Sequence, residues 1–196
     1  PTAPTNFNAS DNTIGSVTVT WTNPSDVGVP ACTYNLYEND VLVASGISSG
    51  YVRNVSVGVR TYYVRATNIA GYVNSSSNSG TSKAPAGSQT FTSSGTFTVP
   101  IGYTSVTICM VGGGGGGGSH RGDQYNVYNV GGGYSGAVVN QAVGGLTGGQ
   151  AIGVTVGGGG NGGTNNTAGS SSGGTSYFGG LSAAGGGGGQ PYTSSY

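Results

Sequence analysis

The residues best able to do chemistry are crowded into one short stretch. Ser119-His120-Arg121-Gly122-Asp123 follows directly on seven consecutive glycines, Gly112 to Gly118, and His120 is the only histidine of the chain. A hydrolytic triad written from Ser119, His120 and Asp123 fails on geometry. Residues this close in sequence cannot face one another as nucleophile, base and orienter, and no nucleophile elbow precedes the serine. A metal site fails on ligand number, because Cys109 is held apart from His120 and Asp123 by the glycines and no fourth ligand follows. The glycine run fails as a phosphate loop, since Ser119 and His120 stand where a lysine and a helix start are required. Arg121-Gly122-Asp123 matches an integrin-binding tripeptide, but three residues in a glycine-rich loop match readily by chance, and a solvated polar loop is the plainer reading. No catalytic residue, cofactor-binding residue or metal ligand is therefore assigned. The chain reads as non-enzymatic.

What these residues suit is recognition. Tyr125-Asn126-Val127-Tyr128-Asn129 is a long aromatic insert between glycine blocks. Tyrosine gives rigid contact area and asparagine adaptable hydrogen bonds at low entropic cost, as in antibody loops. His120, Arg121, Asp123, Tyr125, Asn126 and Tyr128 together form a candidate recognition loop for a sugar or a surface protein. The competing reading is that Tyr125 and Tyr128 cover a thin core. Tyr192 and Tyr196, near the end, add a little to the display reading.

The elements that position this loop are defined by where glycine falls. Of 43 glycines only seven precede Pro85, so a β-rich module is joined to a glycine-saturated one. The 196 residues carry five basic and five acidic side chains, for a formal net charge of zero. That balance offers no basic field for nucleic acid or anionic lipid, and such low charge also argues against ordinary disorder. No apolar run reaches the length of a membrane span. No signal peptide is visible, and Pro1-Thr2-Ala3-Pro4 reads like an inter-domain linker, which suggests a piece of a longer polypeptide. Cys32 and Cys109 lie in or beside strand-like runs and are expected to be two unpaired core thiols. An inter-domain or inter-chain disulfide is the alternative.

Alternation of apolar and polar residues predicts strands at Val17 to Trp21, Tyr34 to Glu38, Val41 to Ala44 and Tyr62 to Thr67, with Asn39-Asp40 as a turn. Short strands with turn residues between them are the signature of a β-sandwich. Residues 78–88 are small, polar and punctuated by Gly and Pro, and read as a linker. In the second half strands are predicted at Gln89 to Thr92, Gly95 to Val99, Thr104 to Val111, Tyr134 to Val143 and Ala151 to Val156. Ordering seven glycines costs more backbone entropy than ordering any other heptapeptide. Close lateral packing of polyproline-II-like glycine strands would offset it; runs that stay mobile are the alternative, and the intervening apolar segments, which need fixed partners, favour order. Collagen is excluded, because Gly-X-Y repetition is absent.

Two resemblances follow from these residues. Pro1-x-x-Pro4, Trp21 ending an alternating strand, Tyr34-x-Leu36-Tyr37 and Tyr62-x-Val64-x-Ala66-x-Asn68-x-x-Gly71 together resemble a fibronectin type III domain. That resemblance implies a spacer module, with Trp21 packed between two sheets and Tyr62 as its buried late-strand tyrosine. The second resemblance rests on an ordered series of blocks. They are Phe97-Thr98-Val99-Pro100, Thr104 to Thr107, Val111 to Gly114, Gly132 to Gly136, Leu146 to Gln150, Val154 to Gly160, Gly174 to Gly179 and Ala183 to Gly187. This order resembles the glycine-rich domain of phage and prophage tail-fibre proteins, and in composition the chain is similar to phage fibre-tip adhesins with polyglycine helices.

The expected architecture is all-β: a fibronectin type III-like sandwich over 1–84, a linker over 85–88, and a glycine-rich β domain over 89–196 with polyglycine II-like segments. The resemblance implies a virion surface or extracellular protein, part of a tail fibre or adhesin in host recognition. Its expected partners are a host cell-surface glycan or protein, other virion proteins, and further copies of itself or a particle. No cofactor, nucleic acid or membrane insertion is expected. A capsid decoration or extracellular filament subunit, and an accessory binding module of a secreted carbohydrate-active protein, are the alternatives.

Overall fold

The computed structural model describes residues 1–119, 131–164 and 170–190. The regular structure of the described residues is all β, without a helix. The chain divides into two compact units. The first comprises Pro1–Gly87, Pro100–Tyr103 and Thr147–Gly149, and the second the remainder.

The first unit is a sandwich. Its strands are β1 (Thr5–Ala9), β2 (Thr13–Ile14), β3 (Ser16–Thr22), β4 (Thr33–Glu38), β5 (Val41–Ser45), β6 (Tyr51–Asn54), β7 (Gly58–Asn68), β8 (Gly71–Asn74) and β9 (Asn78–Lys83). One sheet has the order β1-β3-β6. The other runs β2-β9-β7-β4-β5, with β8 also paired to β7. Alternation sets what is buried. Val17, Val19 and Trp21 of β3 face inward with Phe7 and Ala9, against Leu36 of β4 and Tyr62 and Val64 of β7. Trp21 and Tyr62 thus occupy the core. Asn39 and Asp40 close the β4–β5 hairpin with φ of 48° and 66°, a primed turn that matches strand twist. Residues 78–83, expected as linker, are instead the closing strand β9. Its Gly80 lies directly over Val17 and Ala9, where any side chain would collide, so a segment poor in apolar residues still belongs to the sheet.

The second unit contains β10 (Gly95–Thr98), β11 (Val106–Val111), β12 (Val138–Val143), β13 (Ala151–Thr155), β14 (Ser176–Phe178) and β15 (Leu181–Ala183). β10-β13-β14-β15 form one antiparallel sheet, and β11-β12 a two-stranded ribbon. Val99, Ile108, Met110, Ile152, Phe178 and Ala183 are its buried apolar residues. Three expectations are corrected here. Cys109 is exposed, because it alternates with the buried Ile108 and Met110. Cys32, also a free thiol, is half-buried directly before β4, so neither cysteine is a core residue. Residues 89–92 form no strand, and Phe91 packs over Gly95 instead. The strand expected from Tyr134 begins only at Val138, because 131–137 adopt the geometry described next.

Candidate functional site: a glycine bundle and the segments it holds

Five segments without strand assignment, 112–118, 131–137, 157–163, 170–175 and 184–190, are joined by hydrogen bonds that recur every third residue. The first run donates to the second from Gly112 N to Ala137 O, Gly115 N to Tyr134 O and Gly118 N to Gly131 O. It donates to the fourth from Gly113 N to Gly174 O and Gly116 N to Ser171 O. It accepts from the third at Gly114 O and Gly117 O, donated by Gly160 N and Gly163 N, and from the fifth at Gly113 O and Gly116 O, donated by Gly186 N and Gly189 N. A strand would repeat its bonding every second residue; a repeat of three is that of a polyproline-II-type helix, which has three residues per turn and no internal hydrogen bonds. None of the glycines described in these runs has a positive φ. The runs are therefore polyglycine II helices packed side by side.

This packing explains the glycine. At Gly112, Gly113, Gly115 and Gly116 an added Cβ would lie less than 3.0 Å from backbone atoms of a neighbouring run. Gly133, Gly136, Gly157, Gly160, Gly173, Gly185, Gly186 and Gly189 are equally closed. The chains approach until backbone touches backbone, and main-chain hydrogen bonds take the place of an apolar core. Ser176 couples the bundle to the strands: buried, its Oγ accepts from Gly157 N at 3.0 Å and donates to Val111 O at 2.7 Å.

Strand polarity then decides where the connecting segments leave. The third and fifth runs lie parallel to the first, and the second and fourth antiparallel, as the direction of their bond registers requires. Gly118 and Gly131, Gly163 and Ser170, and Gln190 consequently sit at one end of the bundle. Segments 120–130, 165–169 and 191–196 all attach there. The candidate residues His120, Arg121, Asp123, Tyr125, Asn126 and Tyr128 lie outside the described residues, as do Tyr192 and Tyr196. Arg121 and Asp123 are the only charged side chains from residue 89 onward.

Side-chain clusters that were not anticipated from the sequence lie on the first unit. Glu38 pairs with Arg60 at 3.1 Å and Arg53 at 3.3 Å. Tyr62 Oη lies in the same neighbourhood; burial, reinforced by Glu38, pushes this phenol up to about 12. On the outer sheet face Tyr63 stacks on Tyr37 at 4.9 Å, and Arg65 lies over Tyr37 at 4.3 Å and over Tyr72 at 4.1 Å. Tyr37 thus has both Tyr63 and Arg65 against its ring, and the row ties β4, β7 and β8 together across the outer face of the sheet. The alternation that buries Tyr62 and Val64 also turns Tyr63 and Arg65 outward, and was the available signal.

No curated protein and no solved structure matches the chain. A family model described as a glycine-rich domain matches residues 89–196, the whole of the bundle and the strands that carry it. The chain belongs to this glycine-rich domain family.

Proposed function

We propose that this chain is a non-enzymatic surface-display protein, a component of a phage tail fibre or adhesin that meets the host surface. The observation that carries the reading is the common end of the bundle. The run ends from which three polar, tyrosine-bearing or asparagine-rich segments leave lie together, and the segment that follows Ser119 carries the charged residues and the histidine of the glycine-rich half in sequence. A rigid scaffold that presents variable segments is the usual arrangement of a recognition site. On this reading the first unit is a fibronectin type III-like spacer, and His120, Arg121, Asp123, Tyr125, Asn126 and Tyr128 contact a host glycan or protein. Single contacts of this kind are weak, and several tethered copies on one particle gain by avidity.

The test is binding of the purified chain to cells of the host, with Tyr125→Ala/Tyr128→Ala as the variant. Loss of binding with an unchanged melting profile supports recognition. Equal binding by the variant, or antibody-gold labelling spread evenly over a shell or filament instead of at a fibre end, replaces it with a structural coat role.

A further inference from the structure

The glycine bundle is laterally incomplete. A threefold helix points its N–H groups in three equally spaced directions, and its carbonyls in three others. In the first run one donor direction (Gly112, Gly115, Gly118) is taken by the second run and another (Gly113, Gly116) by the fourth. The third direction, that of Gly114 N and Gly117 N, meets no partner among the described residues. The carbonyls behave alike: two directions are filled by the third and fifth runs, and Gly112 O and Gly115 O are left over.

The bonds between neighbours locate the gap. The second run bonds the fifth through Tyr134 N to Gly187 O, the fifth accepts no gap before the fourth because Gly173 N reaches Gly186 O, and the fourth bonds the third through Ser171 N to Asn161 O. The third and second runs share no such bond among the described residues, so the ring around the first run is open between them. The third run adds acceptors there, because Gly160 O and Gly163 O, equivalent by the three-residue repeat, also have no backbone donor among the described residues.

A second observation concerns side chains. Gly114, Gly117, Gly159 and Gly162 are all exposed. Among the described residues a Cβ at Gly117 would meet nothing within 4 Å, and at Gly114, Gly159 and Gly162 it would make only ordinary contacts of 3.9, 3.8 and 3.7 Å. Packing among the described residues does not require glycine at these four positions. Exposed positions elsewhere in the bundle, Asn161 of the third run, Ser135 of the second and Ser172 of the fourth, do carry side chains.

We infer that the open side of the first and third runs is a docking site for a further glycine-rich peptide segment in polyglycine II conformation, supplied by a partner protein. The free donors Gly114 N and Gly117 N recur every three residues, about 9 Å along the axis. A ligand that satisfies both must repeat its carbonyls at the same interval, which a β-strand does not. It must also approach without Cβ atoms, as the five existing runs do. A two-fold-related copy of the same face is a poorer occupant. Rotation about an axis parallel to the runs brings donor rows to donor rows, and rotation across the runs sets the two first runs one directly over the other instead of in the groove.

The experiment titrates the full chain into a fluorescently labelled peptide of seven glycines flanked by lysine pairs and follows anisotropy. A second peptide with alanine at every third position is the control. Saturable binding of the heptaglycine peptide, weakened at least tenfold in Gly117→Ala/Gly162→Ala and absent for the control peptide, is the expected result. The substituted positions are open, so a melting transition at or above that of the wild type establishes that the variant folds; Gly114→Ala alone is the milder second variant. Absence of binding by the wild-type chain, or equal binding by the variants, overturns the proposal. Self-association in sedimentation that the same substitutions abolish also overturns it, in favour of a second copy as occupant.

Discussion

Gly115→Ala and Gly117→Ala differ by two residues within one homopolymeric run, and the bundle geometry predicts opposite results. At Gly115 the new methyl falls on the Gly187 carbonyl, well inside van der Waals contact, and the obstacle is backbone that cannot swing aside. Relief requires the fifth run to move off. That movement strains Gly186 N to Gly113 O, Gly189 N to Gly116 O and Tyr134 N to Gly187 O, bonds of 2.8, 2.8 and 2.9 Å. Each is worth about 1 kcal/mol net, and overpacking adds about 1–3 kcal/mol. Alanine returns only about 0.4–1 kcal/mol by restricting the unfolded chain. The balance is a loss of about 3–5 kcal/mol. At Gly117 none of the described residues lies within 4 Å of the methyl and φ is not positive, so only the unfolded-state term remains, a gain of up to about 1 kcal/mol. Calorimetric melting or urea titration of both variants reads the difference directly. Equal effects at the two positions would refute the bundle, because a mobile glycine linker has no reason to distinguish them.

Other outcomes follow from single side chains. Cys109 reacts with a soluble disulfide reagent at the rate of an exposed thiol and Cys32 more slowly; equal rates would contradict the inward facing of Ile108 and Met110. Tyr62 has its folded phenol raised to about 12, against about 10 in the unfolded chain. Its neutral form is therefore favoured by folding: the contribution is whole below pH 10, falls as the unfolded state ionises between pH 10 and 12, and is gone above. Tyr34, raised to about 12 by burial and by Cys32 beside it, titrates in the same window. Tyr62→Phe, which removes a buried hydroxyl without a hydrogen-bond partner, is expected to leave neutral-pH stability unchanged or higher and to make the alkaline loss shallower; a drop of more than about 1 kcal/mol at pH 7 would show that the hydroxyl is satisfied. Glu38→Gln leaves Arg53 and Arg60 facing each other and is expected to cost about 1 kcal/mol, discounted for their partial exposure, with salt reducing the loss in a melting series.

The sandwich was legible because its chemistry is that of side chains. Val17, Val19 and Trp21, or Tyr62 and Val64, announce a two-residue period, and Asn39-Asp40 announces its turn. Segments that carry little apolar content escaped this logic: β9 reads Asn-Ser-Gly-Thr-Ser-Lys, and only Gly80 beneath Val17 and Ala9 betrays that it is pressed against the core. Cys109 was misjudged because its residue type outweighed its phase in β11. In the glycine-rich half the possibility of close-packed threefold chains could be reasoned from the entropy cost of Gly112 to Gly118, but not their neighbours. A run of identical residues has no register of its own. What sets register here lies elsewhere, in Ser176 and in the β11–β12 ribbon, whose pairing of Val111 with Val138 starts the first and second runs in step. That Tyr134 belongs to a glycine helix rather than to β12 follows from the same fact, since its carbonyl must meet Gly115 N.

A core made of main chain has a consequence for its connecting segments. In an ordinary domain, changing a loop risks the side chains that pack beneath it. Here Gly118 N to Gly131 O at 2.8 Å and Gly163 N to Gly117 O at 2.9 Å, at the end of the bundle from which segments 120–130 and 165–169 leave, are bonds between main-chain groups. Segments 120–130 and 165–169 can then vary in composition while the bundle that carries them does not. Replacing residues 120–129 by a Gly/Ser sequence of equal length is the direct check. Loop length is conserved, so the closure entropy is nearly unchanged, and the melting transition of the glycine-rich unit is expected to shift by less than about 0.5 kcal/mol in stability. Cell binding, on the proposed function, is lost entirely. A large loss of stability would mean that Tyr125 and Tyr128 cover the bundle instead of facing a partner, which is the competing reading of those two residues. The two measurements on one variant thus separate a recognition loop from a structural cap without any knowledge of the ligand.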